Sequence, residues 1–178
     1  MNKIKIKDKY FELYINRSQI QKEIAQIAEK LNKNMEGKNP LFIVVLNGSF
    51  MFASDLLKQL TFNCEISFIK LASYQGTTST ETINTLIGLT ENIKNRNIVI
   101  IEDIIDTGYT IQGILSELNK REPKQIAICS LFFKPDAYKI NQKIDYIGIE
   151  IPNDFVVGYG MDYNGYGRQF PDLYKIVS

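Results

Sequence analysis

The 178-residue chain has no histidine, no tryptophan and only two cysteines, and its longest apolar runs are about six residues. Each absence removes a class of chemistry. Without histidine there is no Ser-His-Asp triad, no Cys-His dyad and no His-ligated zinc or haem. General acids and bases must come from Asp, Glu, Lys, Tyr or Cys, and a metal must be held mainly by oxygen. Cys64 and Cys129 lie in apolar-rich runs without a CxxC partner, so both are expected as buried free thiols in a reducing compartment. Runs this short do not span a bilayer. The amino-terminal MNKIKIKDKY alternates charged and apolar residues and lacks the apolar core of a signal peptide, so a cytoplasmic protein without a membrane partner is expected.

What is present is ordinary for one well-buried domain: 44% hydrophobic residues, 23% charged and a net charge of +1. Residues 1–40 carry nine Lys/Arg against five Asp/Glu, which leaves −3 for the remainder. Lys3, Lys5, Lys7 and Lys9 alternate with Ile4 and Ile6 over part of that stretch, the period of a half-exposed strand with a solvated face. This reading is preferred to nucleic-acid binding.

Strands alternate with helices along the chain. Ile20, Ile24, Ile27, Ala28 and Leu31 recur at helical spacing, with Ser18 as the expected cap. The unbroken apolar run 41–46 suits a strand buried on both faces and ends at Asn47-Gly48; Phe52, Leu56 and Leu60 then mark a helix. Residues 64–71 alternate as a strand, and the polar stretch 73–85 has no apolar period and is expected as a loop. Strands are expected over 97–105 and 127–133, with a helix between them on Ile111, Ile114, Leu115 and Leu118. The tail from Tyr146 is rich in Gly, Tyr and Asp. This alternation predicts an α/β fold, a mainly parallel central sheet flanked by helices with right-handed crossovers. Ligands of such sheets bind beyond the carboxyl ends of the strands.

The segment from Ile98 to Thr110 is the richest in chemistry. An apolar strand runs into Glu102 and Asp103, and Asp106, Thr107, Gly108, Tyr109 and Thr110 then lead into a helix. A strand-to-helix turn of this kind offers free backbone N–H groups and hydroxyls to a phosphate. Gly108 permits close approach or a positive φ. Glu102 and Asp103 accept hydrogen bonds, which suits ribose hydroxyls or a substrate-borne cation. Taken alone, the same residues also suit a helix cap and a solvated strand end.

The whole block resembles the phosphoribosyl-pyrophosphate motif of the type I phosphoribosyltransferases, in the EDIIDTG form found in hypoxanthine-guanine phosphoribosyltransferases. Four further matches follow in order. Leu46-Asn47-Gly48-Ser49 resembles the pyrophosphate loop, Ser73-Tyr74 the start of the flexible loop, and Lys134 the lysine that recognises the purine 6-oxygen. Phe155-Val156-Val157-Gly158-Tyr159 with Asp162 and Arg168 resembles the purine-binding tail. Many members carry lysine where this chain has Asn47, and some carry it at Tyr109, so metal or Arg168 is expected to neutralise more of the phosphate charge.

The resemblance implies one domain, a core of about residues 18–140 and a small hood from about 1–17 and 141–178. It implies purine salvage: transfer of ribose-5-phosphate from phosphoribosyl pyrophosphate to hypoxanthine or guanine, giving IMP or GMP and pyrophosphate, with Mg2+. By the same resemblance, Leu46, Asn47, Gly48, Glu102, Asp103, Asp106 to Thr110 and Arg168 bind the phosphoribosyl substrate. Asp106 is the general base or proton acceptor near purine N7. Lys134, Phe155, Val156, Val157 and Asp162 bind the purine, and Glu102, Asp103 and Asp162 serve the metal, Asp162 directly or through water. Ser73 and Tyr74 belong to a loop closing over the reaction. A homodimer or homotetramer is implied, without nucleic acid. The alternatives are a regulator that binds a phosphoribosyl ligand and a xanthine-preferring enzyme; near-neutral charge and the presence of Asp106 weigh against the regulator.

Overall fold

The computed structural model describes residues 3–73 and 83–177, the side chains of 71–73 and 83–87 excepted. In chain order its elements are β1 (Lys3–Ile6), β2 (Lys9–Ile15), α1 (Arg17–Met35), β3 (Leu41–Leu46), α2 (Phe50–Leu57), β4 (Glu65–Ser73) and β5 (Ile83–Ile87). They continue with β6 (Asn97–Ile105), α3 (Tyr109–Asn119), β7 (Gln125–Phe133), β8 (Tyr146–Glu150), β9 (Val156–Val157) and β10 (Leu173–Ile176).

The central sheet has the order β5-β4-β3-β6-β7-β8. Strands β4, β3, β6, β7 and β8 run parallel, and β5 joins the edge antiparallel to β4. The two innermost strands carry apolar residues on both faces because helices cover both. Phe42, Val44, Val99 and Ile101 face α1 and α2, together with Ile20, Ile24, Phe52 and Leu56. Leu41, Ile43, Ile98 and Ile100 face α3, with Ile111, Ile114 and Leu118. A fully buried aliphatic side chain of this kind is worth about 1.5–3 kcal/mol, so these two layers hold the sheet in register.

A second sheet, antiparallel in the order β1-β2-β10-β9, forms a hood from both ends of the chain. The alternation at the amino terminus appears as the β1–β2 hairpin, turned at Lys7 with φ +53°. Strand β8 pairs with β7, so the central sheet reaches Glu150.

Three expectations are corrected. The cap of α1 is Asn16, not Ser18: its side chain accepts from the Gln19 N–H at 3.0 Å while Gln19 Oε1 accepts from the Asn16 N–H at 3.2 Å. That reciprocal capping box satisfies two orphan groups, which Ser18 inside the first turn does not do. Helix α2 stops at Leu57, and Leu60 packs on the core from beyond it. Residues Ile83–Thr85, expected in a loop, belong to β5. An edge strand needs backbone pairing on one side only, so it forms without an apolar period. Tyr74 and the rest of 74–82 lie outside the described residues.

Cys129 is buried and Cys64 half-buried, both free thiols. Burial, then Asp145, pushes the Cys129 thiol far above its ordinary value, so it is inert. Among the described residues no helix is long and apolar enough to cross a membrane.

Candidate active site

Parallel strands deliver their carboxyl ends to one edge of the sheet, and β3, β6 and β7 each end there in the polar residues singled out by sequence. After β3, the loop Leu46–Ser49 turns into α2, with the Leu46–Asn47 peptide bond cis. Ser49 is buried and its hydroxyl donates to the Val45 carbonyl, which anchors the loop from below, while Asn47 is exposed. Gly48 lies against the Asp103 carboxylate so closely that a Cβ would overlap Asp103 Oδ2. The loop after β3 and the acidic end of β6 are therefore in direct contact, and only glycine permits it.

After β6, a cavity of about 240 Å³ is lined by Leu46, Gly48, Glu102, Asp103, Asp106 and Thr107, with Gly108, Thr110 and Ile111 completing its wall. Gly108 adopts φ +88° at the cap of α3, and neither Asp106 nor Thr107 caps the helix with its side chain. The first N–H groups of α3 are thus left for an anion, with the positive end of the helix dipole behind them. Tyr109 and Thr110 are exposed at this rim.

Lys134 follows β7 and is 7% exposed. Its ammonium donates to Asp106 Oδ2 at 2.8 Å and to Asn153 Oδ1 at 3.5 Å, and its backbone N–H donates to the Ile105 carbonyl at 3.0 Å. Two residues that sequence assigned to the purine therefore meet as one ion pair at the mouth of the anion cradle. A buried ammonium held this way keeps donors aimed at one spot.

The tail lies above, in the hood. Val156 and Val157 form β9 and are buried, while Phe155 is 47% exposed beside Tyr163, ring centroids 5.9 Å apart and nearly perpendicular. Asp162 pairs with Arg168 at 2.6 Å and accepts from the Gly165 N–H, also at 2.6 Å, and Arg168 donates to the Gly160 carbonyl at 2.7 Å. Gly160 in turn seats directly on the Gly48 carbonyl, where a Cβ would not fit. That contact brings the tail down onto the loop after β3. Ser73 ends β4, its side chain outside the described residues.

The acidic pair offers a test for Mg2+. Glu102 and Asp103 are both buried, and among the described residues neither forms an ion pair with a Lys or Arg side chain. Burial, and then the charge of Asp103, push the Glu102 carboxyl well above its ordinary value. Two hard oxygen donors lacking a cation suit Mg2+, which typically takes one or two carboxylates and completes its shell from water and substrate phosphates. Among the described residues no three His, Cys, Asp or Glu side chains gather into a protein-only cage. The donor set fits a metal shared with substrate. Asp162, also expected at the metal, has its oxygens engaged by Arg168 and the Gly165 N–H.

Sequence reading placed Tyr159 in the purine-binding tail but missed Asn153, Gly160 and the partners of Tyr159, Asp55 and Gln21. Gly160, flanking an aromatic within VGYG, carried a composition signal of close backbone approach. The others pair across distances that no local pattern reveals.

A parallel sheet with an acidic, glycine-capped anion cradle at its carboxyl edge and a hood above it defines a nucleotide-handling transferase, and residues 14–164 match the phosphoribosyl transferase domain. The chain belongs to the phosphoribosyltransferase family. It is 35% identical over 169 residues to the hypoxanthine phosphoribosyltransferase of Escherichia coli strain K12, covering 93% of this chain and 95% of that one. It is 39% identical over 157 residues to the hypoxanthine-guanine-xanthine phosphoribosyltransferase of Tritrichomonas foetus, covering 88% and 86%. The crystal structure of a hypoxanthine phosphoribosyltransferase from Staphylococcus aureus superposes with a TM-score of 0.88 at 34% identity, covering 93% and 91%.

Proposed function

We infer that this chain is a purine-salvage enzyme that transfers ribose-5-phosphate from phosphoribosyl pyrophosphate to hypoxanthine or guanine, releasing pyrophosphate. The observation that carries this reading is the Asp106–Lys134 pair at 2.8 Å on the rim of the α3 anion cradle. It puts a proton acceptor and a fixed donor for a 6-oxopurine next to a site for a sugar phosphate. The names of the relatives support the same reaction.

Each residue then has work to do. Thr107, Gly108, Tyr109 and Thr110 at the start of α3 hold the 5′-phosphate with backbone N–H groups and hydroxyls. Leu46, Asn47 and Gly48 present backbone groups to the pyrophosphate, with Arg168 as the nearby cation. Glu102 and Asp103 bind the ribose hydroxyls and favour positive charge developing at C1′. Mg2+, held by Glu102 and Asp103 with Asp162 nearby, would neutralise charge on the leaving pyrophosphate. Asp106 accepts the purine proton at N7. Lys134 donates to the 6-oxygen, Phe155 stacks on the ring, and Val156 and Val157 read the base edge through their backbone. Ser73 and Tyr74 open the loop that excludes water.

The chain acts as one domain with the hood over the core, in the cytoplasm, where free Cys64 and Cys129 stay reduced. It assembles as a homodimer or homotetramer: Ile66 and Phe68 project from the α1/α2 face of β4 and are 45% and 47% exposed. A reading that includes xanthine is favoured by the name of the Tritrichomonas foetus relative.

Purified protein with phosphoribosyl pyrophosphate, Mg2+ and hypoxanthine or guanine is expected to yield IMP or GMP. No turnover with either base, together with an RNA shift on a gel, would point to the regulator instead. Chelation with EDTA is expected to abolish turnover and added Mg2+ to restore it; full activity in EDTA would remove the metal from the account. Gly48→Ala drives a Cβ into Asp103, and the displaced loop is expected to raise KM for phosphoribosyl pyrophosphate about a hundredfold. An unchanged KM in steady-state kinetics would separate this loop from the substrate.

A further inference from the structure

We propose that Tyr159 is a positioning residue that, through Asp55 and Gln21, sets the hood loop at its working distance from the loop after β3. The proposal rests on the transferase reading above. Tyr159 is 1% exposed, and its ring lies in the core shared with α1 and α2. Its hydroxyl donates to Asp55 Oδ2 at 2.7 Å. Gln21 Nε2 donates to the same carboxylate oxygen at 2.6 Å and to the Tyr159 oxygen at 3.2 Å.

The three residues belong to three different parts of the site's support. Asp55 is on α2, the helix that opens directly after Ser49, and Gln21 is on α1. Tyr159 sits between Val157, at the purine edge, and Gly160, which rests on the Gly48 carbonyl. Its backbone takes φ +46°, a left-handed conformation that a tyrosine adopts only when its surroundings hold it there. The Tyr159 N–H donates to Phe170 at 2.8 Å, and the Gly160 N–H to Arg168 at 3.0 Å.

Apolar packing alone would bury this ring but would not fix its rotation, because the hydrophobic effect is non-directional. A hydroxyl bonded to a carboxylate is directional and short. Burial by itself would raise the Asp55 carboxyl, but hydrogen bonds from Lys58, Tyr159 and Gln21 outweigh it and hold it below its ordinary value. Burial, then Asp55, raises the Tyr159 hydroxyl well above its own. Donor and acceptor therefore keep their roles through the neutral range. The anchor ties the loop bearing Val157, Asp162 and Arg168 to the helix that carries the loop after β3, so the two close on one substrate with a fixed gap.

Tyr159→Phe removes the hydroxyl and keeps the ring. It is expected to raise KM for phosphoribosyl pyrophosphate about tenfold, with a smaller change in KM for hypoxanthine. Asp55→Leu, which removes the Tyr159 bond together with those from Gln21 and Lys58, should give at least the same rise, and the double variant no further rise beyond Asp55→Leu alone, because the Tyr159–Asp55 bond is already gone. Asp55→Asn, which still offers an oxygen to Tyr159, should restore KM to within about twofold of the original. A Tyr159→Phe protein that melts lower but keeps both KM values would reduce the cluster to a structural one and overturn the proposal, as would effects that multiply in the double variant. An inactive original protein would instead sink the transferase reading and this role with it.

Discussion

Asp106→Asn is expected to lower kcat by about 10²–10⁴-fold while leaving the affinity for phosphoribosyl pyrophosphate within about twofold. The expectation follows from what asparagine keeps and what it loses. Its side-chain oxygen occupies nearly the same place and still accepts from the Lys134 ammonium, now 2.8 Å from Asp106 Oδ2. Gly108 still caps α3, because neither Asp106 nor Thr107 contributes a side-chain cap, so the cradle keeps its shape. What disappears is the ability to take a proton from the purine as the glycosidic bond forms. Single-turnover kinetics would read the chemical step, and calorimetry would read ligand binding. A variant that loses binding while turning over normally at saturation would reassign Asp106 to the phosphate.

The second large effect is expected from Lys134→Ala. The lysine is 7% exposed and contributes donors only, so a 6-amino group leaves it facing another donor, whereas a 6-oxo group accepts from it. Removing it is expected to narrow the preference for hypoxanthine over adenine by at least about 10²-fold in the ratio of kcat/KM, mostly through loss of the oxopurine reaction. The same change strips Asp106 of its cation, so Lys134→Ala and Asp106→Asn together should cost less than the product of the two. Unchanged rejection of adenine would move base selection to the backbone of Val156 and Val157.

Much of this layout is legible in the sequence alone. The apolar strands at 41–46 and 97–105 are found at those residues, because burial on both faces of a parallel sheet leaves an unbroken apolar run. The acids and glycine after β6 were visible as a block, since consecutive residues build the cradle. Less legible were one helix cap, chosen by local geometry, and the features set by distant partners. Asn16 outcompetes Ser18 as a cap through Gln19, a choice made by geometry within one turn. Strand β10 is four residues long and exists because β2 and β9 flank it. The Asp106–Lys134 pair joins residues 28 apart in sequence, and Tyr159 meets Asp55 across 104. Local patterning reports which elements form, while such pairings belong to the tertiary fold.

The absence of histidine has a positive content. In the proposed mechanism, carboxylates for ribose and base, backbone N–H groups for phosphate, and Lys134 and Arg168 as the cations leave no task that needs an imidazole. The most direct measurement offers hypoxanthine, guanine, xanthine and adenine together, at equal concentration, to the purified protein with phosphoribosyl pyrophosphate and Mg2+, and identifies the nucleotides formed. IMP or GMP is expected as the main product, with no AMP. AMP as the main product, or no nucleotide at all, would contradict that expectation.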